Sequence, residues 1–280
     1  MTSSSALMLA LLAAASPKAG TVRSADRVPI RYESTGRGDT AIVFVHGWGC
    51  DRRFWDGQVR VFAEDYRVVT LDLAGHGDSG RNRGQWTIAA FGEDVKAVVE
   101  KLKLPHVVLV GHSLGGPVIL EAARRMPQRV RGLVPVDILL DIEQLPSPEL
   151  VGQFVAGLEK DYVGGVTRFA TDYLFAARTP EHVRQRVLQG VTTMPPAQSI
   201  AILRAAWEYD AIPALGEITA PLRAINADKA PTNVAGNRRH AGGYEAHFVQ
   251  GSGHYPMLEA PERFNGLLAH VLRGMTTPPR

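Results

Sequence analysis

The stretch Gly111-His112-Ser113-Leu114-Gly115 is a Gly-x-Ser-x-Gly pentapeptide. Such a pattern arises by chance in long chains, so its surroundings must give it meaning. Here it lies between the run His106-Val107-Val108-Leu109-Val110, which reads as a strand, and a helical pattern from Leu114 to Met126. A sharp strand-to-helix turn strains the backbone at the serine and leaves no room for a Cβ two residues to either side, where Gly111 and Gly115 stand. The turn lifts the hydroxyl clear of the sheet and aims the first helical N–H groups at charge forming on a carbonyl oxygen. The competing interpretation is a glycine-rich turn whose serine only caps the helix. The flanking strand and helix favour a nucleophile.

A serine hydroxyl needs a base, and the base needs a carboxylate to orient it. His254 follows the expected strand Tyr244 to Gln250 in Gly251-Ser252-Gly253-His254, and Asp228 follows the expected strand Pro221 to Ala227. Together with Ser113, these residues stand at the carboxyl ends of strands, where open α/β sheets bind ligands. Asp228 is the expected acid. Asp137, which ends the run Gly132 to Val136, is its competitor, and Asp141 is a weaker third candidate. Two amides are candidates for holding an oxyanion: Leu114, directly after the nucleophile, and Trp48, in His46-Gly47-Trp48-Gly49 after the strand Ala41 to Val45.

The elements that must position these groups alternate. Thr21 to Arg23 and Val28 to Glu33 read as an opening hairpin, and Ala41 to Val45 as a strand buried on both faces. Phe54 to Phe62 reads as a helix, Arg67 to Leu73 as a strand, Trp86 to Leu104 as a helix and Val130 to Val136 as a strand. The alternation predicts a mostly parallel sheet flanked by helices, the α/β class. Between about Ile138 and Thr219 the rhythm changes. Val151, Phe154, Val155 and Leu158, then Val166, Phe169, Ala170 and Tyr173, follow helical spacing. A connection of roughly 80 residues is far too long for a loop, so this is a helical insertion. Pro221 to Ala227 and Tyr244 to Gln250 resume the strands, and Pro261 to Leu272 closes the chain as a helix.

Composition narrows the function classes. Thirty-one Lys and Arg against 28 Asp and Glu leave a net charge of +3 with no run of like charges, which argues against nucleic acid as a partner. One cysteine, Cys50, excludes an intrachain disulfide and a multi-cysteine zinc site, and it reads as a small buried hydrophobe. The nine histidines show no metal-ligand spacing. Ala6 to Ala15 is an apolar run too short to span a bilayer. It has the length of a signal-peptide core and ends in a small-x-small site. Residues 1–20 therefore read as a leader directing export to the periplasm or medium, although Met1 to Ser5 carry no Lys or Arg. The alternatives are a retained tail and a cytoplasmic protein. No other stretch approaches membrane-spanning length, so no stable membrane insertion is expected.

Three further features have bland readings. Gly75-His76-Gly77-Asp78-Ser79-Gly80 matches the dinucleotide fingerprint, but Arg81 to Gln85 separate it from the next helix, whereas the fingerprint requires the helix to open at its glycines. Arg124, Arg125, Arg129 and Arg131 cluster at a helix end, where cations complement the helix dipole. His112 reads as a packing residue.

Taken together, His46-Gly47-Trp48-Gly49, Gly75-His76-Gly77-Asp78-Ser79, Gly111-His112-Ser113-Leu114-Gly115 and Gly253-His254-Tyr255-Pro256 make the chain resemble the α/β-hydrolase superfamily from about Thr21 to Gly274. The order Ser113, Asp228, His254 is that superfamily's order of nucleophile, acid and histidine. The resemblance implies a core of 21–137 and 220–280, a helical cap of 138–219 between the sixth and seventh strands, and catalysis without metal or organic cofactor. Relatives with an aspartate nucleophile are disfavoured by Ser113. The chain departs from the family pattern at Asn226-Ala227, where many members have a glycine-led turn before the acid.

The expected function is a serine hydrolase acting on a small-molecule ester or similar acyl compound through an acyl-enzyme. Phe154, Phe169, Tyr173 and Trp207 would line an apolar substrate pocket, although such helical stripes are more often core. C–C bond hydrolysis and cofactor-free perhydrolysis (haloperoxidase-type chemistry) use the same residues and stay open. A non-catalytic ligand receptor on this scaffold would be expected to lack one of the three. The sequence leaves the oligomeric state open.

Overall fold

The computed structural model describes residues 17–276. The apolar run 6–15, read above as an export signal, lies outside the described residues. Eight strands form one sheet: β1 (Lys18–Arg23), β2 (Pro29–Thr35), β3 (Thr40–Val45), β4 (Arg67–Leu71), β5 (His106–His112), β6 (Val130–Val136), β7 (Arg223–Ala227) and β8 (Glu245–Val249). Their order across the sheet is β1-β2-β4-β3-β5-β6-β7-β8. β1 and β2 form the expected antiparallel hairpin, β2 joins β4 antiparallel, and every later pairing is parallel.

The apolar runs are continuous because both faces of the sheet are covered. Side chains alternate along a strand, so neighbours go to opposite layers. Val43, Val45, Val69, Leu71 and Leu109 pack with Phe91, Val95 and Val98 of α2 (Ile88–Lys101) and with Val118, Ile119 and Ala122 of a second helix, Gly115–Arg125. The intervening residues Ile42, Phe44, Val68, Val108 and Val110 pack on the other face, with Phe62 of α1 (Asp56–Phe62) and Phe264, Leu268, Val271 and Leu272 of the closing helix Pro261–Thr276.

The helix Gly115–Arg125 is α3. Between β6 and β7 stand α4 (Pro148–Lys160), α5 (Tyr162–Phe169), a π-helical turn (Ala170–Leu174), α6 (Glu181–Thr192), α7 (Pro196–Trp207) and α8 (Ile212–Glu217). α9 (Val234–His240), α10 (Pro256–Glu259) and α11 (Pro261–Thr276) complete the chain. Among the described residues, no helix is long and apolar enough to cross a membrane.

Several boundaries differ from the sequence reading. The helix expected at Phe54 to Phe62 opens two residues earlier as 3-10 helix at Arg52–Trp55, because the Asp51 carboxylate caps it by accepting from Arg53 N. β4 stops at Leu71, and the Leu73 amide turns instead to the His46 ring. α9, absent from the sequence reading, is started by Asn233, whose side chain accepts from Gly236 N. Gly77 packs against the buried Asp72 carboxylate. Asp72 accepts from Asp78 N at 2.9 Å, Arg52 N at 2.7 Å and the Arg52 guanidinium at 2.5 Å. The loop after β4 thus encloses an ion pair, and α2 begins only at Ile88, beyond the fingerprint glycines.

Candidate active site

Ser113 sits between β5 and α3 with φ 51, a left-handed conformation that costs a residue bearing a Cβ roughly 1–3 kcal/mol. The turn is closed so tightly that a side-chain carbon at Gly111 would collide with the Gly115 carbonyl, and one at Gly115 with the Val45 carbonyl. The Ser113 amide continues the ladder by donating to Val136 O at 3.1 Å. The loop after β3 lies directly over this turn, since a Cβ on Gly47 would stand 3.2 Å from the Ser113 Cβ. Trp48 is in that loop, and Leu114 is the residue that caps α3. Among the described residues, no hydrogen-bond acceptor takes up the Trp48 or Leu114 backbone N–H.

His254 lies in the turn after β8. Its Nδ1 is 2.6 Å from Asp137 Oδ2. Asp228 does not meet it: that side chain is exposed and accepts from Gly251 N at 2.7 Å. The expectation for the carboxylate is therefore corrected from Asp228 to Asp137. The reason is local geometry. β6 and β7 share a register pair only at Val136↔Ile225, with one further bridge at Leu133↔Leu222. At Asp137 the chain takes φ 48, which swings the carboxylate into the notch where the two strands part. There Oδ1 accepts from Ala227 N at 2.7 Å, leaving Oδ2 for the imidazole. Asp228, one residue beyond β7, points outward. Asp141, the third candidate, accepts from Asn233 Nδ2 and Glu143 N.

Burial works to raise the Asp137 carboxyl pKa. The hydrogen bond and charge of His254, with the Ala227 amide, outweigh it and hold the group below its ordinary value. Asp137 is thus a carboxylate at neutral pH, and it fixes the imidazole with the proton on Nδ1 and Nε2 free.

Three residues that sequence reasoning passed over fasten the histidine. His112 Nε2 lies 2.7 Å from the His254 carbonyl and donates to it, so the ring read as a packing residue braces His254. The Glu259 carboxylate accepts from Gly253 N at 2.8 Å and Tyr255 N at 3.1 Å, gripping the loop on both sides of His254, and also from Thr179 Oγ1 at 2.7 Å. Leu174 O, at the end of the π-helical turn, accepts from His254 N at 2.8 Å. A signal for Glu259 was present. Pro256 opens a helical turn right after the histidine, and a residue four positions beyond Tyr255 comes back over it.

Two hollows lie nearby. One of about 310 Å³ reaches His254 and Asp137 and is walled by Ile138, Leu140, Tyr173 and Lys229. A larger one, about 480 Å³, lies under α6 beside Arg53, Arg81 and Arg186, and neither Ser113 nor His254 lines it. The smaller hollow is the one that His254 and Asp137 line, and Ser113 lines neither. Above the loop after β3 the four aromatics singled out in the sequence meet one another. Phe169 stands edge-on to Trp48 at 6.4 Å, Phe154 is 4.6 Å from Trp207, and Tyr173 is 5.6 Å from Phe169. Cys50 is buried, and burial pushes its thiol pKa up, as suits an unreactive packing residue.

Residues 42–267 match the model of the Alpha/beta hydrolase family. The chain is 33% identical over 183 residues to a pimeloyl-[acyl-carrier protein] methyl ester esterase of Sodalis glossinidius, a match covering 63% of this chain and 68% of that one. It is 38% identical over 102 residues to a dihydrolipoyllysine-residue acetyltransferase component of the acetoin cleaving system of Pseudomonas putida. That match covers 36% of this chain and spans only 28% of the relative's length. Among solved structures it resembles Est816, described as an N-acyl homoserine lactone degrading enzyme, with a TM-score of 0.76 and 28% identity over 90% of this chain and 99% of the other. By the family pattern that runs through 42–267, and by the sheet that carries it, the chain belongs to the alpha/beta hydrolase family of enzymes.

Proposed function

We propose that the protein is a serine hydrolase that cleaves the acyl–oxygen bond of a small ester. The observation that carries this is the serine at φ 51 whose preceding residue, His112, is bonded to the carbonyl of His254, a histidine paired with a partly buried carboxylate at 2.6 Å. In this reading Ser113 Oγ attacks the ester carbonyl carbon while His254 Nε2 takes its proton. The carbonyl oxygen becomes an oxyanion held by the Trp48 and Leu114 amides, each worth roughly 3 kcal/mol in such sites. Collapse of the tetrahedral species breaks the bond to the alkoxide, which leaves with the proton from Nε2. Water, activated by the same nitrogen, then releases the acid and restores Ser113. Asp137 is the acid of this set, holding the tautomer and balancing the imidazolium.

The apolar walls at Ile138, Leu140 and Tyr173, and the cluster of Phe154, Phe169 and Trp207, suit an uncharged acyl chain. Two of the relatives named above, a methyl ester esterase and an N-acyl homoserine lactone degrading enzyme, have substrates that contain an acyl–oxygen bond, which favours ester cleavage.

The test is labelling with a fluorophosphonate, with the adduct mapped by mass spectrometry, beside a panel of nitrophenyl esters from short to long acyl chains. The adduct is expected on Ser113, and Ser113→Ala should abolish both labelling and turnover. An adduct elsewhere, or labelling undiminished in His254→Ala, overturns the reading.

A further inference from the structure

The Trp48 indole is buried under three of the inserted helices and ends in a chain of hydrogen bonds. Its Nε1 lies 2.9 Å from Ser199 Oγ, with the Ser199 carbonyl a weaker second acceptor at 3.3 Å. The Tyr162 hydroxyl is 2.7 Å from the same Oγ and 2.6 Å from the Val191 carbonyl. Donor and acceptor chemistry fixes the direction of every bond. The indole N–H can only donate and the carbonyl can only accept, while each hydroxyl has one proton to give. The Tyr162 proton therefore goes to Val191 O, the Ser199 proton to the Tyr162 oxygen, and the Trp48 proton to Ser199 Oγ. Ser199 is fully buried and Tyr162 is 9% exposed, so none of the three can exchange its partner for bulk water without cost.

The backbone at Trp48 is a turn in which the Cys50 amide donates to Gly47 O at 3.2 Å and Gly49, at φ 70, lies against Val191 of α6. The side chain adds a second anchor for the Trp48 amide. That side chain is clamped by α5 (Tyr162), α6 (Val191) and α7 (Ser199), with Phe169 against the ring.

We propose that Ser199 and Tyr162 are positioning residues for the oxyanion amide of Trp48, so that the inserted helices set the rate of the chemical step as well as enclosing the substrate. This rests on Trp48 N–H serving as an oxyanion donor, as in the function proposed above. A misplacement on the order of 1 Å at such a donor costs up to roughly a hundredfold in rate. The donor acts in the transition state, so its loss should fall on kcat.

The experiment measures kcat and KM for one nitrophenyl ester in wild type, Ser113→Ala, Ser199→Ala, Tyr162→Phe, Trp48→Phe and the double variant Ser199→Ala/Trp48→Phe, each below its own melting temperature. Ser199→Ala and Tyr162→Phe are each expected to lower kcat about tenfold or more, with KM within about twofold. The double variant should be no slower than the worse of its single variants, because both cut the same chain. The sub-additivity would tie Ser199 of α7 to Trp48 of the loop after β3 through the one bond they share. The proposal is overturned if kcat stays within about twofold in both single variants while Ser113→Ala is inactive. It is equally overturned if the change falls on KM, or if the losses multiply in the double variant. If Ser113→Ala keeps its turnover, the hydrolase reading fails, and this one with it.

Discussion

Two aspartates stand in equivalent places, Asp137 one residue beyond β6 and Asp228 one residue beyond β7, and they do different things. The Asp137 side chain is 11% exposed, takes the Ala227 amide on one oxygen and presents the other to His254. Asp228 is exposed and holds one amide of a surface turn. Standing at a strand end therefore does not make a carboxylate the partner of a base. What selects Asp137 is the notch between two strands that share little register, together with a left-handed residue that turns the side chain into it. One oxygen is pinned by a backbone donor, and the other is left with a single direction to point.

The sharpest way to break this contrast is to remove each charge in turn. Asp137→Asn is expected to lower kcat by about three to four orders of magnitude, because the amide stabilises the wrong tautomer and cannot balance the imidazolium. Asp228→Asn should leave kcat within about threefold. Steady-state ester hydrolysis by the two variants decides between them, and the reverse pattern would restore Asp228 as the acid.

Acid sharpens the contrast by another route. His112 packs against His254, and its pKa is lowered from 6.5 to about 3 by burial first and by the neighbouring His254 second. His76 is lowered to about 3 by burial and by His46. As pH falls below 6.5 the unfolded chain takes up protons that these two rings refuse while folded. The folded state therefore loses stability progressively from pH 6.5 towards 3, at about 1.4 kcal/mol per pH unit per ring. Asp137, held below 3.8, adds a loss of the same sign only under that value. Urea melts at pH 7.5, 6 and 5 should show a falling midpoint, and a flat profile would contradict the buried neutral ring beside the β6 end.

Glu259 offers a smaller effect. Its two oxygens accept two backbone N–H groups and a hydroxyl around His254, and in Glu259→Gln one oxygen becomes an NH₂ that cannot accept. The loss of a charge-assisted bond of this kind is expected to cost about 1–3 kcal/mol of stability. It should also lower kcat more than it raises KM, measured by thermal melting and ester kinetics together.

Much of the architecture was legible from alternation and spacing. The strands β3 and β5 were legible because their apolar runs are unbroken, and Ser113 and His254 were singled out as candidates because glycines surround them. The carboxylate was not, because Asp137 and Asp228 have the same local signature and only the parting of β6 from β7 distinguishes them, a tertiary fact. His112 was passed over for a related reason. Its partner is a backbone carbonyl 142 residues away, and backbone partners leave no mark in side-chain patterns. The aromatic spacing in the insertion was legible as helix, but not the meeting of those rings over Trp48, which depends on how α4, α5 and α7 pack.

The smallest effect is reserved for Asp228→Ala, where stability is expected to fall by about 1 kcal/mol or less with kcat unchanged. The turn that Asp228 holds, at Gly251, lies three residues from His254, so slackening there could in principle reach the base. Four independent contacts stand in the way: Leu174 O on the His254 amide, His112 on its carbonyl, Glu259 on the amides to either side, and Asp137 on the ring. Each of those is at least partly buried, whereas the Asp228 contact is exposed and competes with water for its single amide. Loss of the weaker, solvated tether should therefore stop at Gly251. A kcat reduced tenfold or more by Asp228→Ala would mean that the two strand ends communicate through the 251–254 turn and do not act separately.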